Sequence, residues 1–348
     1  MKQILFILIY TYCFYLYSFN LEKVINLNDG WSIFFLNENN IIITEKKGSI
    51  KLFDIKNKRI KNIEHNLNIL SSGQGALMDI ISQNGKIFVS YSENMSNGST
   101  TSVATGIIKS NNITFNNIFR GSPVIQSNYH YGGRLVLISD NIYLTLGDRG
   151  QGMIAQDYEK HPGSIIKIKT DGGLVFDNPK FENKKLWLPE IFQIGLRNPQ
   201  GLEYSPIDHN IYITNHGAKG GDWFGVVKKG ENYGWKVLGW GGKNYIGTKI
   251  GPKWAPGYTK PIYYWVPSIG ISSLIIYRGK EFKEWIGNAL ITSLKDQSLR
   301  RIVFKNNQFI KEDIIFKDKI GRIRDIELNP INGKIFLLGE HALWKLSK

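Results

Sequence analysis

The feature that most narrows the folds open to this chain is a returning unit: a turn of Asn, Gly or Asp, then a strand-like run of aliphatic and aromatic residues. It occurs as "NENNIIITEKKG", "QNGKIFVSYSE", "SDNIYLTLGDRG", "DHNIYITNHG", "IGNALITSLKD" and "INGKIFLLGEH". The strands start near Ile41, Ile87, Ile142, Ile211, Ala289 and Ile335, at separations of 46, 55, 69, 78 and 46 residues. No stretch keeps a helical period. Six returns at blade-sized spacing predict an all-β chain: a six-bladed β-propeller with loop insertions in the middle blades. Two packed β-sandwiches are the competing arrangement. A propeller would also gather the residues just past equivalent strands, Tyr91, Asp148, His216 and Lys295, at one end of its channel.

The formal net charge of +15 comes from 44 Lys and Arg against 29 Asp and Glu. These basic residues are dispersed, and no basic–aromatic stripe follows one element, so nucleic acid is not an expected partner. A small anionic ligand fits better. Residues 1–20 read as a signal peptide or N-terminal anchor, one lysine before an apolar run, and residues 21–348 as the propeller domain. The expected location is therefore periplasmic or extracellular, with membrane contact only if the leader is kept. The single cysteine, Cys13, lies in that leader, so the body has no thiol chemistry.

Several stretches carry chemistry. In "SNYHYGGRLVLISDN", His130 precedes a glycine pair, and Asp148 ends the next strand in "TLGDRGQG". A histidine base is commonly oriented by a buried carboxylate; read alone, His130 fits a packed side chain better than a base. "QIGLRNPQGLEYSP" crowds Arg197, Asn198 and Gln200 at a proline turn, suited to carboxylate or carbonyl recognition. The glycine-dense "NHGAKGGDW" and "GENYGWKVLGWGGKNYIG" would expose carbonyls that, with Asp222, could ligate Ca²⁺. Arg322 and Arg324 alternate, so a regular strand would set them on one face, and with Lys295 they would outline a cationic pocket. The sequence contains no G-x-S-x-G, H-E-x-x-H or G-K-[ST].

Taken in order, "HYGGRL", "LTLGDRG", "GLRNPQGLEYSP", "HGAKGGD", "GENYGW", "NYIG", "YYWVPSIGISS", "SLKD" and "GRIRDI" resemble the soluble quinoprotein aldose dehydrogenases of the glucose/sorbosone dehydrogenase family. The resemblance runs from about Gly73 to the C-terminus. It implies a six-bladed propeller that binds pyrroloquinoline quinone (PQQ) and Ca²⁺. It also implies roles: His130 as general base, Asp148 as its supporting carboxylate, and Arg197 and Asn198 beside the reactive carbonyls of the quinone. Gln74, Tyr245, Lys295, Arg322 and Arg324 would be further quinone contacts. The carbonyls of Gly217 and Ala218 would bind the catalytic Ca²⁺. The reaction implied removes a proton from the anomeric hydroxyl of an aldose and a hydride from its carbon, giving a lactone, and the electrons pass to an external acceptor.

Two departures stand out. Trp223 replaces a glutamate of the family pattern that would ligate a second, structural Ca²⁺ with the carbonyl of Tyr233, which makes that ion doubtful here. Ala218 stands for a proline, a milder change at a carbonyl ligand. The alternatives are a propeller hydrolase such as a Ca²⁺-dependent lactonase, which needs a carboxylate-rich centre, and a non-catalytic binding propeller.

Overall fold

The computed structural model describes residues 19–348, so Cys13 and nearly all of the expected leader lie outside the described residues. No helix among the described residues is long and apolar enough to cross a membrane. The chain forms six sheets, three of them from four consecutive strands, and all pairings are antiparallel except that of Asn112–Ile113 with Arg59–His65 at the outer edge of the first blade. Their inner strands are Gly30–Phe35, Leu77–Gln83, Gly132–Ile138, Pro199–Tyr204, Ile271–Ile276 and Ile323–Leu328, in blades 1 to 6. Each inner strand packs on the next, and the sixth on the first, which closes a ring.

Every run found in the sequence is the second strand of its blade: Asn40–Glu45, Lys86–Met95, Asn141–Leu146, Ile211–Asn215, Ala289–Ser293 and Ile335–Gly339. These strands are apolar because both of their faces meet a neighbouring blade. Ile42 packs toward blade 2 while Ile41 and Ile43 pack toward blade 6. Six such apolar layers, one between each pair of adjacent blades, make up most of the core. Blade 6 draws its three inner strands from the C-terminus and its outermost, Asn20–Asn26, from the N-terminus. Pairing of Asn20 with Ser347 and of Asn26 with Ala342 thus closes the ring. The insertions fall where the spacing places them, at residues 147–163 and 170–190 of blade 3 and 227–262 of blade 4.

A second regularity is absent from the sequence pattern. All six inner strands break register with their neighbours near their first residues, between Gly30 and Ser32, Leu77 and Ile80, Gly132 and Leu135, Pro199 and Gly201, Ile271 and Leu274, and Ile323 and Asp325. Such bulges re-aim side chains. Here they carry buried polar groups into the channel, and these groups meet at Arg134. Its guanidinium donates to Asp325 Oδ1 at 2.8 Å, to the Gln200 carbonyl at 2.8 Å, to the Arg324 carbonyl at 3.0 Å and to Asp79 Oδ1 at 3.3 Å. It also lies over the Trp31 ring, 4.5 Å from its centroid. Asp79 accepts from Ser32 Oγ and from the Leu135 amide, and Asp325 from the Ile33 amide. Five blades are joined through one cation. Blade 5 joins through Ser272 Oγ, which donates to the Ile323 carbonyl at 2.5 Å.

One expectation fails here. Tyr91 is not at the channel mouth: its strand continues to Met95, which leaves it mid-strand in the layer between blades 1 and 2, with Asn117 bonded to its hydroxyl at 2.8 Å.

Removing the Arg134 guanidinium strands two buried carboxylates. Arg134→Met is therefore expected to destabilise the fold by about 3–5 kcal/mol. Urea unfolding would show this as a lower midpoint at constant slope; an unmoved midpoint would contradict the role given to Arg134.

Candidate active site

The mouth of the channel next to the starts of the inner strands is built around His130. Its backbone has φ +48°, and Arg149, at φ +54°, closes the facing turn. Left-handed backbone costs a non-glycine residue about 1–2 kcal/mol, so both turns need anchors. Arg149 supplies one: it donates to the carbonyls of Ser99 (2.9 Å), Tyr129 (3.0 Å) and Ser127, and its guanidinium stacks 3.7 Å from the Tyr131 centroid. Burial lowers the Arg149 pKa to about 10. Gly147 supplies the clearance, since a Cβ there would come within 2.1 Å of the His130 carbonyl oxygen.

The side chain of His130 is pinned at one nitrogen. Nδ1 lies 2.5 Å from Asp148 Oδ1, the His130 amide donates to Gln74 Oε1 at 2.8 Å, and Nε2 has no hydrogen-bond partner among the described residues. Burial lowers the pKa of His130, and the nearby charge of Arg197 acts the same way. The imidazole is thus neutral near pH 7, with a lone pair available at Nε2 when Nδ1 carries the proton. Burial opposes ionisation of Asp148, but hydrogen bonds from His130, from Trp235 Nε1 (2.5 Å) and from the Gly150 amide (2.8 Å) outweigh it and hold its pKa below the ordinary value.

Beside this pair stands a group of cations with few anions. The Arg197 side chain is buried, pairs with no carboxylate among the described residues, and lies 5.4 Å from the Trp235 centroid. The amides of Arg197 and Asn198 both donate to Asn215 Oδ1, at 3.1 and 3.0 Å. Asn198 Oδ1 in turn accepts from the Gly132 amide and from Gln200. Arg324 donates to Gln200 Oε1 at 3.2 Å and lies over Trp31. Burial and the charges of Arg134 and Arg322 lower the Arg324 pKa to about 10. Those pressures would be relieved by an anion.

Residues 27–347 match the sequence model described as glucose/sorbosone dehydrogenase. The chain belongs to the glucose/sorbosone dehydrogenase family. It is 29% identical over 336 residues to aldose sugar dehydrogenase YliI of Escherichia coli (strain K12), covering 92% of this chain and 90% of that one. The crystal structure of the soluble E. coli aldose sugar dehydrogenase in its apo form superposes with a TM-score of 0.89 at 28% identity, covering 95% and 99% of the two chains. The PQQ-bound form of the aldose sugar dehydrogenase from Streptomyces coelicolor shares the fold at 18% identity and a TM-score of 0.77, covering 95% and 98%. Membership of this family makes the chain an oxidoreductase of the aldose sugar dehydrogenase type.

Against this family background, His130, Asp148, Gln74, Arg197, Asn198 and Arg324 do assemble at one channel mouth. Lys295 stands at the rim, its Nζ 3.4 Å from the Ser268 carbonyl. Tyr245 is 71% exposed on a turn of the blade 4 insertion, outside the cluster. Arg322 and Arg324 do not share a strand face. Arg322 precedes the strand, is exposed and lies 3.8 Å from Glu340, while the bulge after Ile323 turns Arg324 inward.

Asp222 is held by three backbone amides. Oδ1 accepts from the Gly217 amide at 2.8 Å, and Oδ2 from Gly270 at 2.7 Å and Ile271 at 3.0 Å, so the carboxylate scaffolds the turn. What that turn leaves unbonded among the described residues are the carbonyls of Gly217 and Ala218. Trp223 is 2% exposed and stacks on Tyr233 at 4.1 Å, while the Tyr233 hydroxyl bonds both the amide and the carbonyl of Val226.

Reading the sequence missed Trp235, Asn215 and Arg149. All three sit in quoted motifs, "GENYGW", "NHGAKGGDW" and "TLGDRGQG", but they act on residues distant in sequence or through backbone groups. With nine tryptophans in the chain, no local pattern singles out the one that reaches Asp148.

Asp222→Ala is expected to free the 217–221 turn. Each lost bond to a charged acceptor is worth about 1.5–3 kcal/mol, so both the melting temperature and the hydrogen-exchange protection of the Gly217, Gly270 and Ile271 amides should fall. Retained protection at those amides would remove the scaffolding role.

Proposed function

We propose that this chain oxidises aldose sugars at the anomeric carbon to lactones, with PQQ as hydride acceptor and Ca²⁺ beside it, and delivers the electrons to an external acceptor. One observation carries the reading: His130, fixed through Nδ1 by Asp148 and, among the described residues, unpartnered at Nε2, stands within electrostatic reach of Arg197, whose guanidinium pairs with no carboxylate among those residues. The PQQ held by the Streptomyces relative supports the choice of cofactor. The apolar leader supports export to a periplasmic or extracellular location.

The residues present fit the cofactor. Arg197 and Arg324 offer two cations inside the mouth and Lys295 a third at its rim to the three carboxylates of the quinone, and Gln74 and Asn198 offer amides. The unbonded carbonyls of Gly217 and Ala218 are hard oxygen donors of the kind Ca²⁺ prefers. When bound, the quinone supplies a two-electron hydride acceptor, and the ion supplies Lewis-acid polarisation.

This chain's own residues do the rest. His130 Nε2 accepts the proton of the anomeric hydroxyl as the C1–H bond gives up its hydride and the C1–O double bond forms. Asp148 holds the proton on Nδ1, which keeps the lone pair on Nε2, and it stabilises the imidazolium once formed. Arg197, buried and pre-positioned over Trp235, stabilises negative charge as it develops. Trp223 and Tyr233, stacked together, take up with aromatic packing the region where the family pattern has an acidic ligand, and we assign no second Ca²⁺ to it. The hydrolase reading is less favoured because the carboxylates of Asp148 and Asp222 are each engaged by three donors.

The test is reconstitution of the purified protein with PQQ and Ca²⁺, followed by dye reduction with a panel of aldoses. Lactone formation supports the reading; quinone binding without reduction by any aldose overturns it. His130→Ala should retain the quinone and lower kcat by about 10²–10⁴-fold. The base works unprotonated, and its pKa lies below the ordinary value of about 6.5. Activity should therefore be full above that pH and fall only as acid protonates His130, with the midpoint of the acid limb of kcat/KM below about 6.5.

A further inference from the structure

We propose that Trp235 is a positioning residue of this site: its indole N–H fixes the Asp148 carboxylate that orients His130, and its ring face seats Arg197. The inference rests on the dehydrogenase reading for its consequence in catalysis, but its geometry stands independently. Trp235 Nε1 donates to Asp148 Oδ2 at 2.5 Å, while Asp148 Oδ1 receives His130 Nδ1 and the Gly150 amide. With the indole on one oxygen and the imidazole on the other, the carboxylate has no freedom to rotate away from His130. The same indole lies 5.4 Å from the Arg197 guanidinium carbon. One side chain therefore sets the base and the nearest buried cation relative to each other.

The indole is itself held from several sides. The Trp235 amide donates to the Gly195 carbonyl at 3.1 Å, and its carbonyl accepts from Gln156 Nε2 at 2.5 Å. Gln156 is locked by a reciprocal pair of amide bonds with Asn232, at 2.8 and 3.2 Å. The ring packs on Ala155 and Ala218. Trp235 belongs to the 227–262 insertion of blade 4, whereas Asp148 and His130 belong to blade 3. The insertion thus buttresses its neighbour's catalytic pair.

A purely structural tryptophan and a positioning one differ in a measurable sign. The charged groups around His130 are Asp148, Arg149 and Arg197. Removing one donor from Asp148 leaves more negative charge on the carboxylate, which stabilises the imidazolium. In Trp235→Phe the pKa of His130 should therefore rise, and the acid limb of kcat/KM should move to higher pH. Loss of an orienting partner typically lowers activity 10–100-fold, so kcat should fall by about tenfold or more while KM changes little.

The decisive measurement needs neither quinone nor sugar: NMR titration of His130 in the apoprotein, parent against Trp235→Phe. A raised His130 pKa supports the proposal, and an unchanged one in a folded variant overturns it. Should the variant not fold, the parent protein decides. Its Trp235 Nε1–H resonance should lie downfield and shift with the same midpoint as His130, and an indole signal indifferent to that titration overturns the proposal. Failure of every aldose to reduce the dye would sink the dehydrogenase reading and leave these titrations untouched.

Discussion

The structure depends on the guanidinium of Arg134. A propeller ring has no hydrogen bonds between adjacent blades of the kind that hold each sheet, so apolar layers carry most of the cohesion and leave the channel wall as a ring of strand edges. Arg134 ties five of those edges together and adds a stacked indole from Trp31. It is 3% exposed, and its two carboxylate partners are buried with it. Burial and the proximity of Asp325 push the Asp79 pKa upward even with Arg134 alongside. Breaking such a cluster would leave buried charge uncompensated, so its bonds hold five inner strands in one relative placement.

The same bulges that aim Arg134 inward also make the chemical site. Each inner strand starts irregularly at the mouth and becomes regular below it, so polar groups concentrate at one level of the channel. Arg324 illustrates the division of labour. Its carbonyl closes the Arg134 network, while its side chain turns to Gln200 and Trp31. Carboxylates in this zone are consumed by scaffolding: Asp79 and Asp325 by Arg134, Asp222 by three amides, and Asp148 by His130, Gly150 and Trp235. The cations are left in excess, a preformed electrostatic demand of the kind that the anionic cofactor proposed above would meet.

Much of this was legible in the sequence. The blade count followed from six second strands, because a strand with a blade on each side is apolar over most of its length and recurs once per blade. His130, Asp148, Arg197 and Asn198 were legible as chemistry at strand ends. The errors share one cause, the assumption of regular strands. Tyr91 was expected at a mouth because its strand was taken to end earlier; Arg322 and Arg324 were expected on one face because a bulge leaves no mark on alternation. Asp222 beside its glycines reads as a Ca²⁺ ligand in the sequence, and the fold adds a scaffolding role that sequence does not show: it accepts three amides, two of them from residues 270 and 271 at the start of blade 5.

The sequence by itself determined the six-fold β architecture, the middle-blade insertions and the residue types at the site, since hydrophobic period and turn chemistry are local and repeat along the chain. Tertiary structure alone decided which of those residues act together. Ring closure brings Arg134 to Asp325 across 191 positions of sequence, and the blade 4 insertion brings Trp235 to Asp148 of the neighbouring blade across 87. Those pairings arise from the angle and depth at which blades pack, a property of the whole ring that no single strand encodes.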